Sequence, residues 1–353
     1  MQPIPTIRPF EKSAGLVHQL PEDATPPEFF SLLWGPSLFQ LLADETNRYA
    51  AQKQVKKPDK KWYPTTPDEM KVFIGINIIM GIDQKPAIAH YWSTDPYLGN
   101  QGIRSVIPRE CFEALNRYLH LNDSEQMPSR DDAAYDPLYK LRPLIDHCQQ
   151  NFKDQYIPGC DMSVDEGMIK YMGRLYFRQY TPKKPIKYGI KVWMAADSRT
   201  GYVCNYDIYL GKPLNGAKVE VGLATSVVLK LTEPFQECNR HIFDNFFTSV
   251  KLVEELLRRG TYACGTLRAN RYPDSYKAKK GRMQGIKLKP GEKRQLQKGT
   301  MLLTIWYDKR QVAVLTSNCN PNEQTTVQRL PMSRMSRFQL QSTDTTTAWV
   351  VLT

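Results

Sequence analysis

The stretch from Ser163 to Lys212, SVDEGMIKYMGRLYFRQYTPKKPIKYGIKVWMAADSRTGYVCNYDIYLGK, decides the fold class. It is dense in Val, Ile, Tyr, Phe and Trp, and Gly, Pro and an Asp-Ser-Arg-Thr-Gly turn divide it. SVDEGMIKYM, RLYFRQYTP, KYGIKVWMAADS and GYVCNYDIYLG therefore read as consecutive antiparallel strands. Beyond them come a helix from about Lys218 to Leu231, the strand HIFDN (241–245), the helix SVKLVEELLRRG closed by Gly260, and the strand TYACGTLRAN. Strands in a meander, then helix, strand, helix, strand, are the order of an RNase H-like domain.

Upstream, the period is helical. PPEFFSLLWGPSLFQLLADETNRYAAQ spaces its apolar residues at helical intervals and breaks at Gly35-Pro36. Thr66-Pro67-Asp68-Glu69 reads as a capping box with proline at the first helical position, opening MKVFIGINIIMGI. Further helices start at Pro108 and at Asp136-Pro137. Downstream, a basic stretch leads into GTMLLTIWYDKRQVAVLTSN, a hairpin turning at Asp308-Lys309-Arg310. The fold class is α/β (α+β). Residues 1–25 read as a flexible arm, 26–157 as a helical domain, 158–270 as an RNase H-like core with a mixed sheet, 271–318 as a basic hairpin insertion, and 319–353 as a weakly structured tail.

Composition narrows the function classes. A chain of 353 residues fits two domains, or one with insertions. Seven scattered cysteines form no CxxC pair, so neither a zinc site nor a disulfide framework is expected, and a reducing compartment is. The longest apolar run, VFIGINIIMGI, is too short to span a bilayer, so no membrane role is expected and the chain reads as soluble and intracellular. The five histidines show no ligand spacing and read as structural. Residues 1–160 hold 17 Lys+Arg against 20 Asp+Glu, a net of −3, whereas residues 161–353 hold 31 against 16, a net of +15. Arg271, Lys277, Lys279, Lys280, Arg282, Lys287, Lys289, Lys293, Arg294 and Lys298 face only Asp274 and Glu292 across residues 271–298. That density suits a polyanion, with DNA the expected partner; a solvated loop is the plain alternative. Lys183, Lys184, Lys187 and Lys191 either hold phosphates or protect a strand edge. Trp306 and Tyr307 either stack on bases or pack.

Two acids stand out. Asp165 lies inside the first strand and Asp244 ends the fourth, where two carboxylates on neighbouring strands can share a hard divalent cation. A carboxylate inside an apolar strand is costly to bury unless paired or bound to metal. Glu166, one residue on, is assigned to the surface. Asp244 also suits a helix N-cap, and Asp197 belongs to its turn.

SVDEGMIKYMGR, the KPIKYGIK core, YLGK, HIFDNFFTS and GTLRANR resemble, in order and separation, the piggyBac transposases and the piggyBac transposable element-derived proteins. The resemblance runs from about Phe29 to Asn318. It implies a DDE-superfamily core with three aspartates that uses Mg²⁺ to cut and join DNA, with Asp165 and Asp244 as the first two acids and metal ligands. The family's third acid lies in a GVDxxD helix, which this sequence does not match; Glu323 and Asp344 are the only late candidates, both weak, and Asp344 is the one carried forward. The family's cysteine-rich zinc-binding tail has no match either. The chain therefore reads as lacking the final catalytic helix. Loss of that helix would expose apolar strand surface and lead to poor solubility or to a homodimer. The expected function is a nuclear, domesticated, DNA-binding protein with an incomplete site, impaired in cleavage and strand transfer. The alternatives are an active Mg²⁺-dependent transposase or nuclease, and a protein-interaction module that keeps the fold.

Overall fold

The computed structural model describes residues 8–211, 222–236, 239–244, 246–272, 288–307 and 310–319. Two compact units emerge: His18–Gln155, and Met1–Val17 together with Tyr156–Thr353.

The first unit is helical. Its helices are α1 (Pro26–Leu33), α2 (Pro36–Lys56), α3 (Pro67–Ile82), α4 (Gln101–Val106), α5 (Arg109–Tyr118) and α6 (Arg142–Asp154). Gly35 is the N-cap and Pro36 the first residue of α2, so the Gly-Pro break falls where expected. Thr66 Oγ1 accepts the Glu69 N–H, but the Glu69 carboxylate takes the hydroxyls of Thr65 and Tyr63 instead of closing the capping box. Asp136 does not start a long helix. Its carboxylate accepts the Leu138 N–H and grips the Arg142 guanidinium, and α6 begins at Arg142 after a short 3-10 turn. Leu38, Phe39, Leu42, Met70, Phe73, Ile76, Phe112 and Leu115 form the buried core of this unit.

Among the described residues, the second unit is built on a nine-stranded sheet. A two-stranded ribbon precedes it, β1 (Gly15–Leu16) pairing with β2 (Tyr156–Ile157). Residues 15 and 16, read as part of an arm, are thus paired. The sheet contains β3 (Asp161–Lys170), β4 (Gln179–Tyr180), β5 (Tyr188–Asp197), β6 (Val203–Ile208), β7 (His241–Asp244), β8 (Tyr262–Thr266), β9 (Lys293–Lys298), β10 (Met301–Tyr307) and β11 (Gln311–Thr316). Their spatial order is β4-β5-β3-β7-β8-β11-β10-β9, and β6 also pairs with β5. α7 (Leu223–Thr232) and α8 (Val250–Arg258) supply the crossovers that parallel neighbours need. Ser249 caps α8 by accepting the Leu252 N–H, and Gly260, at φ 66°, ends the turn after it. Leu252, Val253 and Leu256 then pack in one core with Met162, Val164, Trp193 and Ile242.

Two further expectations change. RLYFRQYTP yields only the two-residue β4, because the Arg178 guanidinium donates to Met172 O and Gly173 O and closes a loop there. The 271–318 segment does not stand apart: β11 pairs with β8, and Leu303, Ile305, Ala313 and Leu315 join the same core. The stretch 293–298 adds the outermost strand, β9. The turn at Asp308-Lys309, the start of the helix read from Lys218, and the whole segment 320–353 lie outside the described residues.

Candidate functional site

β3 and β7 run parallel, with Asp161 opposite His241, Met162 opposite Ile242 and Ser163 opposite Phe243. Asp165 lies two residues past the last of these pairs and is matched on its other side with Met194 of β5. Asp244 closes β7 opposite Gly265 of β8. The two acids therefore occupy neighbouring strands. Side chains alternate along a strand, however. Met162, Val164 and Ile242 are buried in the core, which puts Asp244 on the core side and the exposed Asp165 on the other. Asp165 is not the buried carboxylate expected of an apolar strand.

Asp244 caps its own turn. It accepts the N–H groups of Phe246 at 2.9 Å and Phe247 at 2.6 Å and the Thr248 hydroxyl at 3.0 Å. Burial raises its carboxyl above the usual range, and the bonds from 246–248 only partly offset this. Gly265 leaves room for the turn: a Cβ there would overlap Asp244 O and Thr248 Oγ1.

Glu166, assigned to the surface from sequence, faces the core side instead. Its carboxylate meets Lys191 Nζ at 3.0 Å and Lys184 Nζ at 3.8 Å. The Lys191 contact is ionic without hydrogen-bond alignment, since Glu166 Oε2 has no hydrogen-bond partner. Lys191 Nζ also sits 3.9 Å from the Trp193 ring centroid, and Arg268 lies 4.5 Å from that of Phe246. Arg271 donates to Phe246 O at 2.7 Å and Thr248 O at 2.9 Å. A basic and aromatic cluster thus borders Asp244. Lys183, Lys187, Lys289, Lys293 and Arg294 are exposed, whereas Lys277, Lys279, Lys280, Arg282 and Lys287 lie outside the described residues. Trp306 and Tyr307 are half-buried on β10.

Asp197 is a turn residue, as its sequence context indicates. It is buried and accepts N–H groups from Gly159, Arg199 and Thr200 and the Tyr156 hydroxyl. Burial alone would raise its carboxyl, but these four donors hold it below the ordinary range.

The oxygen donors of Asp165 and Asp244 suit a hard divalent cation, yet their arrangement does not. They lie on opposite sides of the sheet, and the oxygens of Asp244 are taken by three donors. Among the described residues, no third carboxylate gathers with them. The cluster of metal-ligating groups that does form is Cys160, Asp161 and His241. Sequence spacing hid it, because Cys160 and His241 are 81 positions apart, and His241 is not the isolated structural histidine it resembled.

A family model described as Transposase IS4 matches residues 25–344. PiggyBac transposable element-derived protein 3 of Homo sapiens is 30% identical over 273 residues, which cover 74% of this chain and 43% of that protein. The chain belongs to the piggyBac transposase family. A second human member, piggyBac transposable element-derived protein 2, is 31% identical over 254 residues, covering 71% of this chain and 41% of its own length. The chain thus spans less than half of either human relative. A piggyBac transposase, solved by cryo-EM as a synaptic complex with hairpin DNA, superposes with a TM-score of 0.74 at 26% identity. That match covers 90% of this chain and 65% of the transposase. The RNase H-like reading and the mixed sheet agree with this likeness.

Proposed function

We propose that this piggyBac-family chain is a transposase-derived nuclear protein that binds DNA through the exposed basic residues of its sheet unit. In the arrangement described above, it does not cut DNA. The observation that carries the binding half is the concentration of charge: a net of +15 over residues 161–353. The likeness to a transposase solved with hairpin DNA supports the same reading. Exposed Lys183, Lys187, Lys289, Lys293 and Arg294 bind phosphates as point charges or forks and release counterions. Such contacts position the duplex without reading its sequence.

The cleavage half rests on Asp165 and Asp244. Mg²⁺ is the cofactor the family implies, and it would supply charge stabilisation at the attacking and leaving oxygens. Two carboxylates on opposite sides of a sheet do not hold one ion, so bound DNA stays intact. Fluorescence anisotropy of a labelled duplex tests the binding. With about six phosphate contacts, log K falls against log salt with a slope near −5. A flat salt response removes the nucleic-acid reading.

A second reading, an active transposase or nuclease, draws on the neighbouring strands of the two acids, Asp165 inside β3 and Asp244 at the end of β7. A plasmid assay in Mg²⁺ or Mn²⁺ separates the two. Cleavage lost in both Asp165→Asn and Asp344→Asn establishes the active enzyme.

A further inference from the structure

Cys160 directly precedes β3 and His241 opens β7, so the chain brings both to the starting edge of two parallel core strands. Asp161 is the first residue of β3 and lies opposite His241. The His241 N–H donates to Cys160 O at 2.8 Å, which ties the two strand starts together. The buried guanidinium of Arg240 donates to Pro158 O at 2.7 Å, Gly159 O at 3.1 Å and Phe235 O at 3.3 Å. Asp197 holds the Gly159 N–H at 2.7 Å. The backbone under Cys160 and Asp161 is therefore fixed from several sides.

On this frame, His241 Nδ1 lies 2.9 Å from Asp161 Oδ1 and 3.7 Å from Cys160 Sγ. All three ligand atoms lie within 4.8 Å of one another. We propose that Cys160, Asp161 and His241 form a binding site for a zinc-class divalent cation, which staples the starts of β3 and β7. A thiolate, an imidazole and a carboxylate form a borderline-soft donor set, suited to Zn²⁺ or Co²⁺ more than to Mg²⁺. Around a tetrahedral zinc, metal–ligand bonds of about 2.0 Å for N and O and about 2.3 Å for S put N and S roughly 3.5 Å apart and N and O roughly 3.3 Å apart. The two spacings from His241 Nδ1 need adjustments of only a few tenths of an ångström.

Thiolate and carboxylate together neutralise the ion. Their side also stays open to water: the side chains of His241 and Asp161 are 12% and 22% exposed, leaving room for a fourth, solvent ligand. The site is distinct from the acid pair. Asp161 and Asp165 are four residues apart on an extended strand, roughly 13 Å.

Without an ion, the Nδ1–H tautomer of His241 donates to Asp161 and the Cys160 thiol stays protonated. Burial pushes that thiol up to about 11, Asp161 adds to the rise, and the Arg240 charge opposes it. On binding, the imidazole proton moves to Nε2 through solvent and the thiol proton is released, so one proton leaves per ion. Affinity therefore rises with pH.

The test uses the full chain, stripped with EDTA and titrated with Co²⁺. One equivalent is expected to produce a thiolate-to-cobalt charge-transfer band, which Zn²⁺ then bleaches. Cys160→Ser removes the band, and Asp161→Asn or His241→Gln weakens binding by more than about 100-fold, beyond the effect usual for an outer-sphere partner. Cys111→Ser, in the helical unit, changes nothing. Alkylation by iodoacetamide, read by mass spectrometry on the unmutated chain, covers the case of a variant that does not fold. There, Zn²⁺ is expected to protect Cys160 but not Cys111. The absence of the band, its survival in Cys160→Ser, or unprotected Cys160 reduces the cluster to a hydrogen-bonded pair beside a thiol and overturns the proposal.

Discussion

Glu166 masks basic charge, and Glu166→Gln should unmask it. In the fold, one carboxylate faces Lys191 at 3.0 Å and Lys184 at 3.8 Å. The two lysines differ in reach. Lys191 is only 17% exposed and held over Trp193, so it stays where it is, whereas Lys184 is 35% exposed and can turn to solvent. Neutralising Glu166 therefore adds one phosphate contact, not two. One added contact steepens the slope of log K against log salt by about 0.9, which at 0.1 M salt is roughly an eightfold gain in affinity. Anisotropy titrations of a 30-base-pair duplex over a salt series read both quantities, with circular dichroism to verify the fold. Lys184→Ala in the unmutated background should flatten the slope little, because that charge is already engaged. Lys183→Ala and Lys187→Ala, at exposed positions, should each flatten it by about 0.9. An unchanged slope in Glu166→Gln, with binding otherwise intact, refutes the masking; absence of any binding refutes the DNA reading itself.

Gly265→Ala drives a methyl group into Asp244 O and Thr248 Oγ1, and overpacking against backbone should cost about 3 kcal/mol in urea denaturation; a loss under about 0.5 kcal/mol would contradict the close approach. Asp197→Ala leaves three N–H groups and the Tyr156 hydroxyl without their acceptor, so a loss of at least about 3 kcal/mol is expected by the same measurement. Asp244 titrates above its unfolded value of 3.8, so its favourable contribution to stability is present below that value and is lost as pH rises through the folded one. The melting temperature of Asp244→Asn, relative to the unmutated chain, should therefore climb between pH 4 and pH 7. A constant or shrinking difference would count against the burial.

Much of the sheet unit was legible because its signals are local. β3, β5 and the β7–α8–β8 crossover follow from apolar runs, the Ser249 cap and Gly260. What escaped was non-local or two-sided. β11 pairs with β8 through Val314 and Thr266, residues with no mark in sequence of their partnership. Alternation separated Asp165 from Glu166, but the core side is set by Trp193, Ile242 and α8, which strand periodicity does not identify. RLYFRQYTP has strand composition, yet Arg178 spends its guanidinium on the loop carbonyls before it. Within the candidate site, Asp165, Asp244 and Asp197 could be picked out by position and turn chemistry. The Cys160–Asp161–His241 cluster could not, because its members meet only once β3 and β7 lie side by side.

On the proposed reading, this piggyBac-family chain binds DNA while Asp165 and Asp244 do not cooperate in cutting it. Supercoiled plasmid incubated with the chain in Mg²⁺, and then in Mn²⁺, tests this most directly on a gel that reads retardation and nicking together. Retarded but uncut plasmid, the same for the unmutated chain and for Asp165→Asn, is the predicted result. Nicking by the unmutated chain that disappears in Asp165→Asn and in Asp244→Asn would contradict it.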